Sequence, residues 1–287
     1  MAKARKPSNL AGRWYPADPR KLREELERCL RDAEEAELSA LEAAVVPHAA
    51  YRYSGKAAAG VYRIVGDTAV ERVVLLAPSH YCAYLGVAVP TFEVFETPLG
   101  EVGIETDSVE ALRGNPLVAA DDFPYEREHS LEIQLPFLQV VAPGVPVVPL
   151  MVGELRRADA SRLASSLVPL RTPGTIFLAS SDFTHYGADF DYLPFPPLDE
   201  DYVRKELARL DRGAVEFVLR ADPSGFRRYV EETGATVCGR RPIEVLLELE
   251  AGRVEGVLVD YYTSLDVTGD YEHSVSYAAI AFPPPAA

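Results

Sequence analysis

The sequence predicts a single α/β domain with a mixed central β-sheet and helices on both faces. Three observations predict it. Apolar runs of strand length alternate with longer runs of helical periodicity. No linker interrupts the 287 residues, so the whole chain, 1–287, reads as one domain. The last two strand-like runs follow one another directly, which would give the sheet a mixed edge.

The elements follow in order. Asp18 is an N-cap candidate with Pro19 at the first helical position. Leu22, Leu26, Cys29 and Leu30 then share one face, so Cys29 is expected in the core. Ala43–Pro47 (AAVVP) is a strand, Ser54–Val65 a helix and Arg72–Pro78 (RVVLLAP) a second strand. Leu85–Thr106 reads as a hairpin broken at Pro98-Leu99-Gly100. Ser130–Val141 is expected to be helical despite Pro136, followed by a strand at Val145–Val152 and a helix at Ala158–Leu170. Thr175–Ser180 (TIFLAS) is another buried strand. Asp199–Glu232 is mostly helical, with Pro223 opening a new helix, and Pro242–Ala251 is helical. Val254–Ser264 and Ser274–Phe282 are the closing strands. There are no internal repeats, and the only low-complexity stretch is the terminal PPPAA.

Composition narrows the function classes. An apolar content of 48% and a charged content of 25% are ordinary for a globular protein with a sizeable core. No apolar run reaches the roughly 18 residues of a membrane span, and MAKARKPSNLAGRW is basic without the apolar stretch of a signal peptide. The expected location is therefore the cytoplasm. Cys29, Cys82 and Cys238 are few and far apart, which fits a reducing compartment better than a disulfide framework. The net charge of −15, with no basic cluster beyond the N-terminus, argues against nucleic acid as a partner. A homo-oligomer is compatible with the sequence, but no feature demands one.

The informative pattern is positional. His48 follows AAVVP, His80 follows RVVLLAPS, and Asp182 and His185 follow TIFLASS. In open α/β sheets, sites form in the crevice outside the carboxyl ends of the strands, so these loops are expected to converge. Two histidines and one anionic ligand with open positions is the arrangement of non-haem Fe(II) oxygenases. The anionic partner could be Asp182, Glu132, Asp260 or the thiolate of Cys238. A helix expected just after Cys238, together with Arg240 and Arg241, should lower that thiol's pKa. Taken singly, each residue has a plainer reading. Asp182 could cap a turn, Cys238 could be a structural thiol, His129 could open a helix capped by Ser130, and His273 could be a surface strand residue. No P-loop, GxGxxG, GxSxG or paired CxxC motif is present.

At these same residues the sequence resembles the Memo family, named for a mediator of ErbB2-driven cell motility. Seven ordered blocks carry the resemblance: AGRWYP (Ala11–Pro16), VPHAAYRYSG (Val46–Gly55), APSHY (Ala77–Tyr81), EREHSLEIQLPFL (Glu126–Leu138), SSDFTHYG (Ser180–Gly187), CGRRPI (Cys238–Ile243) and SVSYAA (Ser274–Ala279). The resemblance implies a fold like the class III extradiol dioxygenases, which cleave aromatic diols at a non-haem iron. It also implies metal ligands at His48, His80 and Cys238. Asp182 and His185 would line the pocket as an acid–base pair or as outer partners of the ligands, His129 and Glu132 would sit at its rim or wall, and His129 is a further catalytic candidate. Iron and copper are both implied, with zinc a third candidate. Companions of radical-SAM and AMMECR types are implied for the bacterial and archaeal relatives. Three departures stand out: Ala50 where the family usually has glycine, Tyr81 where a second histidine commonly follows, and Gln134 where a histidine is common.

Three functions follow as expectations. The first is a metal-dependent oxidoreductase on an unknown small-molecule substrate, with His185 oriented by Asp182 moving protons. The second is a non-catalytic protein that binds metal, or a peptide or phosphorylated partner beside Arg240 and Arg241. The third is a metal-free Cys–His hydrolase built on Cys238. A thiolate ligand favours copper(I) or zinc more than a carboxylate does, so ring cleavage itself is disfavoured.

Overall fold

The computed structural model describes residues 4–285. The first three residues of the basic N-terminal stretch and the last two of PPPAA lie outside the described residues. The strands are β1 Arg5–Lys6, β2 Ala43–Val46, β3 Arg72–Pro78, β4 Val87–Val89, β5 Val94–Thr97, β6 Gly100–Gly103, β7 Val118–Ala120, β8 Val147–Val152, β9 Thr175–Ser180, β10 His185–Tyr186, β11 Val257–Thr263 and β12 Ser274–Phe282. The helices are α1 Pro19–Asp32, α2 Tyr51–Asp67, α3 Thr106–Leu112, α4 Leu135–Val141, α5 Arg157–Leu167, α6 Glu200–Leu219, α7 Pro223–Thr233, α8 Arg240–Glu250 and α9 Ser264–Thr268.

The main sheet runs in the order β10-β12-β2-β9-β3-β8-β4-β7, with β11 also paired to β12. Its centre, β2-β9-β3-β8, is parallel. Such strands are covered on both faces and tolerate no polar alternation, and every residue of β2, β8 and β9 is buried. The closing strands join antiparallel, β12 to β2 and β11 to β12, as the mixed edge required. Helices α1, α2 and α4 pack together on one face, while α5, α7 and α8 pack together on the other.

Local chemistry accounts for the helix starts. The Asp18 carboxylate accepts from the Arg20 and Lys21 amides at 3.0 Å, and Pro19 occupies the first turn. Leu22, Leu26 and Cys29 are buried, so the expected core face of α1 is real. Helix α2 is rich in Gly and Ala so that α1 can approach it. A Cβ added at Gly55 would lie 2.8 Å from Cys29 Sγ.

Two regions differ from expectation. The stretch Leu85–Thr106 is divided: β4 joins the main sheet, and only β5 and β6 form the hairpin, in a separate three-stranded sheet with β1. Ser130–Val141 is not one helix. A 3₁₀ turn at Glu132–Gln134 precedes α4, which places Pro136 in the first turn of α4, where its missing amide costs nothing.

Candidate metal centre

Strands β2, β9 and β3 are adjacent and parallel, so their carboxyl ends open on the same side of the sheet. The loops leaving them carry His48, Asp182 with His185, and His80. The loop before the Glu132–Gln134 turn adds His129, and the turn before β12 adds His273. All five histidines border one cavity of about 620 Å³, along with Trp14, Tyr53 and Tyr277.

Ring nitrogens of His48, His80 and His129 lie within 4.8 Å of one another. Donors bonded to one ion at about 2.0–2.1 Å lie no more than about 4.2 Å apart, so the rings would close on an ion by a small inward shift. The ring centroids are 5.2 Å apart for His48 and His80, and 4.6 Å for His80 and His129. The Cys238 sulfur sits 3.1 Å from His48 Nε2 and accepts from the Asp182 amide at 3.3 Å.

Hydrogen bonds to the outer nitrogens fix the tautomers. Ser180 Oγ donates to the Ser130 carbonyl at 2.6 Å and accepts from Gln134 Nε2 at 2.9 Å. Its remaining partner, His48 Nδ1 at 2.9 Å, must therefore donate to it. His48 Nε2 is left carrying the lone pair, which faces the Cys238 sulfur. His80 Nδ1 lies 2.9 Å from Glu128 Oε1. His185 Nδ1 faces the Phe183 and Thr236 carbonyls at 3.0 and 3.1 Å, so it too carries its proton on Nδ1. His129 Nδ1 is 3.1 Å from Glu128 Oε1, in a contact too poorly aligned for a hydrogen bond.

Glu128 is thus a hub, and sequence reasoning passed over it in favour of Glu132. Its buried carboxylate also accepts from the amides of His80, His129 and Ser130 at 2.6, 2.8 and 3.0 Å. A carboxylate behind an imidazole is the kind of outer partner that orients histidines in metal sites. The available signal was its place next to His129 in EREHS.

Charge in the site follows from burial and these contacts. Burial opposes a charge on Glu128, but the His129 and His80 imidazoles close beside it hold its pKa well below the carboxylate range. Burial likewise opposes the His80 cation, yet the nearby Cys238 sulfur and the bonded Glu128 carboxylate outweigh it and raise the pKa to about 10. Burial, then the neighbouring histidines, pushes His48 well down. Burial lowers His129 and His185. Buried Asp182 is pushed up to about 7.

The donor set fits a transition-metal ion. Three imidazoles converge, and hydrogen bonds to Nδ1 present the Nε2 atoms of His48 and His80 to the centre. A soft thiol touches the cluster. A family model described as Memo-like protein matches residues 5–281. The chain belongs to the Memo family. It is 34% identical over 289 residues to a MEMO1 family protein of Methanopyrus kandleri, covering 95% of this chain and 97% of that one. It is 32% identical over 280 residues to Protein memo-1 homolog of Caenorhabditis elegans, covering 94% and 80% respectively. Protein MEMO1 of Xenopus laevis is 30% identical over 281 residues, covering 94% of each chain. Among solved structures, an uncharacterized protein from Escherichia coli K12 aligns with a TM-score of 0.52 over 84% of this chain and 99% of that one. At 15% identity that likeness is one of fold.

Within this Memo-family site several sequence expectations need correction. His129 borders the cavity and also belongs to the histidine cluster, and Ser130 caps no helix, its hydroxyl donating to the Pro78 carbonyl at 2.8 Å. Asp182 does not orient His185. Its Oδ1 accepts from the His48 amide at 2.7 Å, so it braces the loop that carries His48. The Cys238 thiol is not activated as expected: burial pushes its pKa up, and Arg240 and Arg241 are paired with Glu154 at 2.7 and 3.0 Å. Glu132 faces the N-terminal segment, accepting from Ser8, Leu10 and Tyr15 at 2.6, 3.1 and 2.7 Å. Asp260, on β11, borders a different cavity. His273 lies in a turn 3.5 Å from Asp189.

The three departures from the Memo pattern are accommodated. Ala50 has φ −56°, which asks for no glycine. Gln134 braces Ser180 behind His48 and accepts from the Tyr62 hydroxyl at 2.7 Å. Tyr81 is half exposed at the cavity rim, its ring 6.1 Å from that of His129.

Proposed function

We propose that this Memo-family protein is a metal-dependent oxidoreductase acting on a small organic substrate in the histidine-lined cavity. The observation that carries this reading is the convergence of His48, His80 and His129 with their donor atoms within 4.8 Å, beside the Cys238 thiol. Iron or copper bound there would supply electron transfer, and a nitrogen- and sulfur-rich set suits such ions. His48 and His80 would be ligands through Nε2, with His129 or Cys238 completing the set. Glu128 and Ser180 hold the rings in register. His185 stands outside the ligand group with Nδ1 anchored, so its Nε2 is free to accept a substrate proton. Trp14, Tyr53 and Tyr277 supply apolar walls. The sulfur beside three nitrogens departs from the two-histidine, one-carboxylate set of true ring-cleaving oxygenases, so the reaction class is redox chemistry other than ring cleavage.

The 3.1 Å contact between Cys238 Sγ and His48 Nε2 favours one second reading, a metal-free Cys–His hydrolase. Burial works against it, because it raises the thiol and lowers the imidazole, leaving a neutral pair rather than a thiolate.

The test is the metal content of untagged protein purified without chelator, measured by mass spectrometry. The metal reading expects near-stoichiometric iron or copper, lost in His48→Ala, His80→Ala and either His129→Ala or Cys238→Ser. A parent that takes up no metal after anaerobic reconstitution, yet loses activity on thiol alkylation, would replace it with the hydrolase reading.

A further inference from the structure

His80 borders two cavities rather than one. The larger holds all five histidines and contains no sulfur among its lining residues. The other, about 310 Å³ and here called the rear cavity, is bordered by His80, Cys238, Cys82 and Glu154. Cys238 touches His48 Nε2 yet borders this rear cavity and not the large one. The chain's third thiol, Cys29, is buried in the α1–α2 interface, so both of the others face the rear cavity. Cys82 is partly exposed, and the turn that presents it is closed by Ser79 Oγ donating to the Cys82 carbonyl at 2.9 Å. Glu154 pairs with Arg240 and Arg241, which border the same cavity. Glu154 is 51% exposed, and solvated ion pairs of this kind contribute little and open readily.

We propose that the rear cavity is a loading passage through which copper(I) reaches the histidine cluster, with Cys82 as its entry ligand and Cys238 as its inner one. The inference rests on the metal reading above and adds a route and a residue to it. The physical reason is ligand softness. Thiolates select copper(I), whereas an all-imidazole wall does not, and both accessible thiols face one side of the site. The step is ligand exchange. Cys82 gives up its proton to solvent as its sulfur–copper bond forms and the carrier ligand leaves. When Cys238 and His80 take the ion, the Cys238 thiol proton passes back to the Cys82 sulfur and the His80 imidazolium proton leaves to solvent. Copper keeps its charge and no electron moves. The large cavity then remains free for the organic substrate.

The experiment presents copper(I) as its coloured bicinchoninate complex to anaerobic apo-protein and follows the loss of colour by stopped flow. Cys82→Ser is expected to load at least tenfold more slowly to the same final stoichiometry, and Cys82→Met, which restores a soft sulfur, to recover most of the rate. Loading of iron(II), a harder ion, is expected to be unchanged in Cys82→Ser. Equal copper rates in parent and Cys82→Ser would overturn the passage. So would slowing by Cys82→Met as great as by Cys82→Ser, or equal slowing of iron, since either marks a structural role. A parent that takes up neither ion would instead overturn the metal reading itself.

Discussion

The Glu128 carboxylate lies 2.9 Å from Nδ1 of His80, with the acid almost fully buried and the imidazole side chain 27% exposed. The pair is formed by residues 48 apart in sequence. It orients the ring so that Nε2 faces the centre, and with the Cys238 sulfur it pushes the ring's pKa up.

Removing that acid should therefore weaken metal binding without removing a ligand. Glu128→Gln is expected to lower copper or iron affinity by about 10–100-fold. Competition against a chromophoric chelator reads this directly. An affinity equal to that of the parent would show that Glu128 is only a structural acceptor.

The same pair sets a pH window for the metal-free fold. The pKa of His80 is raised, so its contribution is complete below its ordinary value of 6.5 and is lost as pH rises toward about 10. The pKa of Glu128 is lowered, so its contribution is present above about 4.5 and is lost below that. Together they favour the fold most between those two values. Urea titrations across pH in the presence of chelator should show the alkaline decline, and Glu128→Gln should flatten it. Metal binding should release a proton, visible as a buffer-dependent heat in calorimetry.

Asp182 titrates in the opposite sense from an ordinary paired carboxylate. Burial raises its pKa to about 7 from 3.8, so ionisation costs folded stability as pH climbs through that interval. Asp182→Asn keeps an oxygen to accept from the His48 amide and removes the charge. The metal-free variant should match the parent near pH 4 and exceed it above pH 7 in denaturant midpoint. A variant less stable than the parent at pH 8 would mean that the ionised form is the one the fold needs.

Trp14 is the chain's single tryptophan, and its ring lies 4.3 Å from that of His129. Its segment is pinned by Glu132, which accepts from the Tyr15 hydroxyl at 2.7 Å and from Ser8 and Leu10. Copper bound at the cluster should quench Trp14 fluorescence. Glu132→Ala leaves several donors unpaired, so it should cost about 2 kcal/mol or more and shift the emission to the red, while metal stoichiometry is retained. A spectrum that does not change on loading would separate Trp14 from the metal position.

A large share of this protein was legible from local pattern. Continuous apolar runs marked β2, β3 and β9, because a strand buried on both faces leaves no room for polar alternation. Asp18-Pro19 marked the start of α1, and four of the converging polar residues were found from their place just after those strands. These features depend on periods of two or 3.6 residues and on what a strand end can present. The division of labour within the cavity depended on contacts across the sheet. Glu128 reaches His80 over 48 residues, Asp182 braces His48 over 134, and Cys238 meets His48 over 190. No spacing rule reports such partners. Side-chain hydrogen bonds and burial are decided by which loops pack together, and only the assembled fold shows that Asp182 serves His48 and that the thiols face the back of the site.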